Sequence, residues 1–137
     1  MKTHVEFCSD RFPPMEDGSD EVNPGRWGQR LADFVRHGLV QRGLDAGEPF
    51  AEDWGWVVPI KNAEFPLWIG CGNYDGEPDG FLCFIEPHTP VIKKLFRKVD
   101  TSLRVAEVRD ALDAVLSEDA GIRDKKWSTY EEFNRGA

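Results

Sequence analysis

Residues 54–60 carry large apolar side chains at every second position, directly after two adjacent carboxylates. The alternating residues are Trp54, Trp56, Val58 and Ile60. Because residues two apart on a β-strand lie on the same face, this pattern predicts a strand over 51–60 with a wide aromatic surface. Glu52 and Asp53 would give that surface an acidic rim. The stretch therefore requires a fold that contains a half-buried sheet.

The length of 137 residues matches one domain, and we expect a single globular domain over 1–137. Hydrophobic residues make up 40% of the chain, which is enough for a buried core and excludes a wholly disordered chain. No apolar run approaches the roughly 18 residues of a membrane span. Since the first residues do not resemble a secretory signal, we expect a cytoplasmic protein.

The formal net charge is −8, from 25 acidic and 17 basic residues. A nucleic-acid-binding protein needs a basic surface that displaces counterions from phosphates, so we expect no nucleic-acid partner. We expect no membrane partner either. An acidic surface keeps a protein soluble, and it also suits a basic protein partner. The densest basic segment, residues 93–98, is expected on a helix.

The first half of the chain predicts one strand, one loop and one helix. Val5–Cys8 alternates weakly and indicates a short strand, and 9–23 is an acidic loop that we expect to be mobile at its centre. Asn23 is a suitable N-cap, and the proline after it is favoured at the first position of a helix. Apolar residues then recur at three- and four-residue intervals, so a helix is predicted up to Gly43, which can take the left-handed conformation that ends it.

The middle of the chain predicts an antiparallel meander. Apolar runs at 67–71 and 81–85 follow the strand at 51–60 through short connections. The run at 81–85 is apolar throughout, which is typical of a central strand covered on both faces.

Two more helices are predicted, at 90–99 after a Thr-Pro start signal and at 102–119. Aromatic residues recur at threes in the tail, 122–137, which predicts either a short docked helix or a mobile tail. The order is β-α-β-β-β-α-α. We therefore expect an α+β fold with a single, mainly antiparallel sheet of 3–4 strands and helices packed on one face.

The adjacent carboxylates Glu52 and Asp53 are the first candidate for chemistry. Neighbours on a strand point to opposite faces, so the two would not converge on one substrate atom. Hydrogen bonding to an indole or a backbone N–H, or pairing with an arginine, is the expected role. Trp54, Trp56 and Trp68 would either line a ligand pocket or fill the core.

Histidine and cysteine give weaker signals. His88 follows an apolar strand, where a histidine can be a base or a ligand. The three histidines fall in three separate elements, however, so a surface or hydrogen-bonded histidine is expected. Cys71 and Cys83 lie in apolar strands, and a catalytic thiol needs an electropositive, partly exposed setting. With three cysteines and no CxxC pair, neither a disulfide framework nor a cysteine zinc site is indicated.

The segment 70–80 is rich in glycine and acidic residues, but it matches neither a phosphate-binding loop nor an EF-hand. A plain turn is expected there, with Asp75 available to a partner. We predict no cofactor, no metal site and no catalytic residues.

These observations favour a non-catalytic protein-interaction domain of the inhibitor, immunity or adaptor type, bound to a basic partner. One alternative is a small-molecule-binding module or enzyme with a tryptophan-lined pocket. Another is a subunit of a homodimer, joined through the sheet edge near Pro59 or through the C-terminal aromatic residues. The candidate binding residues are Glu52, Asp53, Trp54, Trp56, Trp68, Asp75 and His88.

Overall fold

The computed structural model of the protein describes residues 1–74 and 79–136. The strands in these residues are β1 (Lys2–Cys8), β2 (Phe50–Glu52), β3 (Gly55–Ile60), β4 (Leu67–Asn73), β5 (Gly80–Glu86), β6 (Val91–Lys94), β7 (Arg97–Asp100) and β8 (Arg123–Thr129). The helices are α1 (Gln29–Gln41), α2 (Ser102–Ser117) and α3 (Tyr130–Asn134). No helix in these residues is long and apolar enough to cross a membrane.

The fold is α+β with an antiparallel main sheet, as the sequence predicts, but over residues 1–74 and 79–136 this sheet has six strands rather than three or four. Its order is β2-β3-β4-β5-β1-β8, and β6 and β7 form a separate hairpin. The first additional strand comes from the predicted strand over 51–60, which a tight turn at Asp53–Trp54 divides into β2 and β3. The residue after that turn, Gly55, has no room for a side chain, because a Cβ there would lie 2.7 Å from the carbonyl oxygen of Cys71.

The second additional strand, β8, comes from the C-terminal tail and pairs with β1. The predicted short docked helix is present as α3, which packs against β1, but a strand that was not predicted precedes it. The aromatic spacing of three spans the junction between strand and helix, at Thr129. The hydroxyl of Thr129 accepts a hydrogen bond from the backbone N–H of Glu132, and the Glu132 carboxylate accepts one from the N–H of Thr129. This capping box fixes where the strand ends and the helix begins.

The predicted helix at 90–99 is wrong, because these residues form the β6–β7 hairpin. Ile92 and Val99 are seven residues apart, a spacing that suits one face of a helix, yet they are directly paired across the hairpin. Their β-branched side chains favour the extended conformation. Val99 is buried and Ile92 packs against the core, so tertiary packing stabilises the hairpin. The basic segment 93–98 therefore lies on strands and a turn rather than on a helix.

Helix α1 begins later than predicted and ends as predicted. Asn23 is in a short bridge with Arg26, and Gly28 precedes the first helical turn. At the other end Gly43 has φ +88°, and the N–H of Leu44 donates to the carbonyl of Leu39. The left-handed glycine cap is thus confirmed, with Leu44 buried over the last turn.

Helices α1 and α2 cover one face of the main sheet and enclose the core. Helix α1 packs on β3 and β4, and α2 packs on β1 and β5. The helices approach closely at Gly38, where a Cβ would lie 2.6 Å from a methyl carbon of Val115. The sheet residues buried on this face include Val5, Phe7, Val58, Ile69, Cys71, Phe81, Cys83 and Ile85. The opposite face of the sheet, which we call the open face, carries the candidate site.

Candidate functional site

The open face carries a continuous series of aromatic rings. His4 on β1 and Phe84 on β5 are paired across the two strands, and their rings stack at 5.4 Å with 16° between the planes. Strand alternation directs both side chains away from the helices, because their neighbours Val5 and Ile85 are in the core. Trp68 on β4 meets Phe84 edge-on at 5.6 Å. The open face of the sheet thus carries a layer of aromatic rings in mutual contact, here called the aromatic floor.

Trp54, from the turn between β2 and β3, folds over this floor. Its ring lies 5.8 Å from that of Trp68 and 5.2 Å from that of Phe84. Gly70 makes room for it, since a Cβ at Gly70 would come within 2.9 Å of the Trp54 ring and 2.4 Å of Phe84. Trp54 is 41% exposed, so one side of this large ring faces solvent.

A cavity of about 480 Å³, here called the edge cavity, is lined by Trp54 and by residues of the outermost strand, β2. Phe50 contributes to its wall and is 46% exposed. Glu52 is its acidic residue. The other main lining residues are Pro59, Pro66 and Trp68. The edge cavity is mainly apolar, with a carboxylate at its margin.

A second cavity of about 480 Å³, here called the inner cavity, also has Trp54 in its lining. Leu82 and Phe84 form its apolar part, and Arg26 and Asp53 are its charged residues. The Arg26 guanidinium donates to the carbonyl oxygen of Asn73 at 3.2 Å. The side chain of Asn23 donates to the carbonyl of Asp53, which ties the β2–β3 turn to the loop before α1.

The adjacent carboxylates are thus divided between two cavities, Glu52 in the edge cavity and Asp53 in the inner one. The prediction that Trp54 and Trp56 lie on the same face of the sheet is wrong, because the turn at 53–54 places Trp54 on the open face. Trp56 packs against the core, and its indole N–H donates to the carbonyl of Asp20 at 3.0 Å.

In the described residues, a series of ring contacts through Tyr130, His4 and Phe84 connects His88 to Trp54. His88 stacks on Tyr130 with 3.7 Å between ring centroids, and its Nδ1 lies 2.7 Å from a carboxylate oxygen of Glu86. Tyr130 contacts His4, and His4 contacts Phe84. The structure therefore brings Glu52, Trp54 and Trp68 together and holds His88 within a separate stacked pair.

His4 is nearly fully buried at the centre of this series, with 5% of its surface exposed. Burial, and then the charge of His88, lower the pKa of His4 to about 4. Its imidazole is therefore neutral at neutral pH and serves as a flat aromatic ring. Phe133 of α3 packs against it at 4.8 Å, which holds the C-terminal helix on the open face.

Cys71 and Cys83 are paired on adjacent strands, with their sulfur atoms 3.9 Å apart. The hydrogen bond that the Cys71 thiol shares with Cys83, and then burial, raise the pKa of Cys71 well above its ordinary value. Both residues are buried in the core, the position that their apolar surroundings predicted. In the part of the chain that the structure describes, no group of three or more His, Cys, Asp or Glu residues is placed to hold a metal ion. Asp75 lies outside the described residues.

Sequence reasoning missed several residues of the site, namely Phe50, Pro66, Leu82, Phe84 and Arg26. One signal for them was available. Gly70 interrupts an apolar strand, and a glycine inside a strand often marks the close approach of another group.

The comparisons with known proteins leave the site to be interpreted from its geometry. No model of a protein family matches this chain, and no curated protein and no solved structure matches it significantly.

Proposed function

We propose that this protein is a binding module that recognises a basic segment of a partner protein through the edge cavity and the acidic residues beside it. The observation that carries this proposal is the exposure of Phe50 and Trp54 next to Glu52 and Asp53. Exposed aromatic residues in a concave apolar site are typical of protein interfaces, where tryptophan and tyrosine are frequent binding hot spots.

The chemistry of the site favours a cationic side chain as the group bound. A lysine or arginine placed over the exposed face of Trp54 gains a cation–π contact, and the carboxylates of Glu52 and Asp53 offset its charge. The net charge of −8 would attract such a partner over longer distances and raise the rate of encounter. The stem of the same side chain can pack on Phe50 and Pro59.

Photo-crosslinking in the native cells would identify the partner. The photoreactive residue p-benzoylphenylalanine is placed at position 50, and at position 103 as the matched control, because Leu103 is an exposed apolar residue outside the cavity. A protein crosslinked from position 50 and not from position 103 is then purified for binding measurements.

The variant W54A should weaken binding of that protein about 30-fold, which corresponds to the loss of a hot spot worth about 2 kcal/mol. The double variant E52Q/D53N should lower the affinity and reduce its dependence on salt, whereas L103A should bind as the wild type does. Circular dichroism would check that each variant is folded. Wild-type affinity in both W54A and E52Q/D53N would contradict the proposal.

A second candidate function, binding of a small molecule, is supported by the inner cavity. Its volume is within the range of ligand pockets, and it combines aromatic walls with Arg26 and Asp53. A ligand with a planar ring and an anionic group would suit these residues. In a thermal-shift screen of such compounds, a true ligand should raise the Tm of the wild type and not that of an R26Q variant.

A further inference from the structure

The β6–β7 hairpin ends in two large apolar residues at positions where turns ordinarily carry small polar ones. Leu95 and Phe96 form this turn and are 89% and 93% exposed. Gly, Asn, Asp and Ser predominate in turns because of their backbone preferences and local hydrogen bonds. With so little of their surface buried, Leu95 and Phe96 add almost nothing to the stability of the fold. Residues that are unfavourable for the local structure in which they lie often belong to functional sites.

Four cations surround this apolar turn. Lys93 is paired with Lys98, and Lys94 with Arg97. Like charges directly opposite each other destabilise a hairpin. Since adjacent residues on a strand point to opposite faces, the cations flank the turn on both faces of the hairpin. We call residues 93–98 the basic tip.

The basic tip is held in a fixed position. At the base of the hairpin Val99 is buried, Ile92 packs against the core, and the N–H of Thr101 donates to the carbonyl of Pro90 at 2.9 Å. Near the turn, Arg97 makes an ion pair with Glu64 at 3.0 Å. A binding partner therefore meets a preformed element and little ordering of the backbone is needed.

We infer that the basic tip docks into the edge cavity of a second copy of this chain, an inference that rests on the proposed function of that cavity. Phe96 and Leu95 match its apolar wall, and the lysines match Glu52 at its margin and Asp53 beside it. Within one molecule the tip is exposed and the cavity is open, so these two surfaces do not meet.

Charge complementarity selects this arrangement over the other occupants. The whole chain carries −8 and the four cations of the tip carry +4, so the rest of the chain carries −12. Contact between two hairpins would oppose cations with cations. An anionic lipid surface would attract the tip and repel the remainder of the chain. Docking of the tip on the cavity joins opposite charges and also buries apolar surface on both sides. Because it covers the cavity, it also competes with the partner protein.

Charge reversal tests the inference by sedimentation velocity of the purified full chain over a wide range of concentration. The wild type should self-associate, and the variants K93E/K98E and E52K/D53K should each lower the association constant at least tenfold. An equimolar mixture of these two variants should associate again, because it places opposite charges together at each contact. L103S, at an exposed site on α2, should associate as the wild type does.

A wild type that stays monomeric, or charge reversals that leave association unchanged, would overturn the inference. Binding of the monomeric wild type to vesicles of phosphatidylserine and phosphatidylcholine would overturn it too, and would identify a lipid as the ligand of the tip. A monomeric protein that still binds its crosslinked partner through Trp54 overturns self-docking and leaves the proposed function standing. A monomeric protein whose W54A and E52Q/D53N variants both keep wild-type affinity for the crosslinked partner overturns both.

Discussion

Replacing His4 by phenylalanine should make the protein less sensitive to mild acid. His4 is buried among aromatic rings, and its pKa is lowered from 6.5 to about 4 by burial and by the charge of His88. Because the unfolded chain takes up this proton more readily than the folded protein does, the wild type loses stability as the pH falls from 6.5 towards 4. Phenylalanine keeps a flat ring at position 4 and has no proton to bind.

The size of this effect follows from the pKa difference. At pH 5 the unfolded imidazole is almost fully protonated and the folded one is almost fully neutral, so linkage lowers the free energy of unfolding by about 2 kcal/mol relative to pH 8. The variant H4F lacks this loss. It also lacks the hydrogen bond between the Thr3 hydroxyl and Nδ1 of His4, which shifts its stability by a nearly constant amount at every pH.

Urea unfolding followed by circular dichroism, from about pH 5 to pH 8, measures the difference. This window avoids Glu132, because hydrogen bonds from Lys2 and from Thr129 lower the pKa of that carboxyl to about 2, and its contribution is lost below pH 4.5. The control H37F removes an exposed histidine on α1. The pH dependence of its free energy of unfolding should match that of the wild type. Parallel pH curves for H4F and the wild type would refute the argument that burial keeps His4 neutral.

Two further predictions concern the core. Changing Gly38 to alanine should lower the free energy of unfolding, measured in urea titrations, by about 1–3 kcal/mol. The new methyl group would overlap Val115 and force α1 and α2 apart. Equal or greater stability of this variant would contradict the close contact between the helices. In native protein a thiol reagent should modify Cys8 much faster than Cys71 and Cys83, which are buried in the core. In denaturant all three cysteines should react. Fast modification of Cys71 and Cys83 in native protein would contradict their burial.

The parts of the fold that the sequence predicted depend on local chemistry. The end of α1 is specified by Gly43 and the leucine after it, and α2 by an apolar face within a single segment. The hairpin at 91–100 was missed because Ile92 and Val99 satisfy a helical spacing as well as a hairpin pairing. Their β-branched side chains were the deciding signal.

Strand β8 was missed because its pairing is long-range. Its sequence is mostly polar because it is an edge strand, and Trp127 is the residue that it packs against the core. Its partner, β1, lies more than a hundred residues away, so no local pattern could reveal the pair. The turn at 53–54 had only a glycine after it as a signal, and the alternation of tryptophans on either side of that glycine concealed it.

The candidate site follows from how the main sheet is covered. Two long helices enclose one face. On the open face, within the described residues, α3 packs at the β1–β8 side and Trp54 packs near β4. A sheet of six strands presents more apolar surface than these elements can bury, so Phe50 and one side of Trp54 remain exposed at the β2 edge. Because this edge also carries Glu52 and Asp53, a cationic and partly apolar segment is the occupant that would best complete the covering of the sheet.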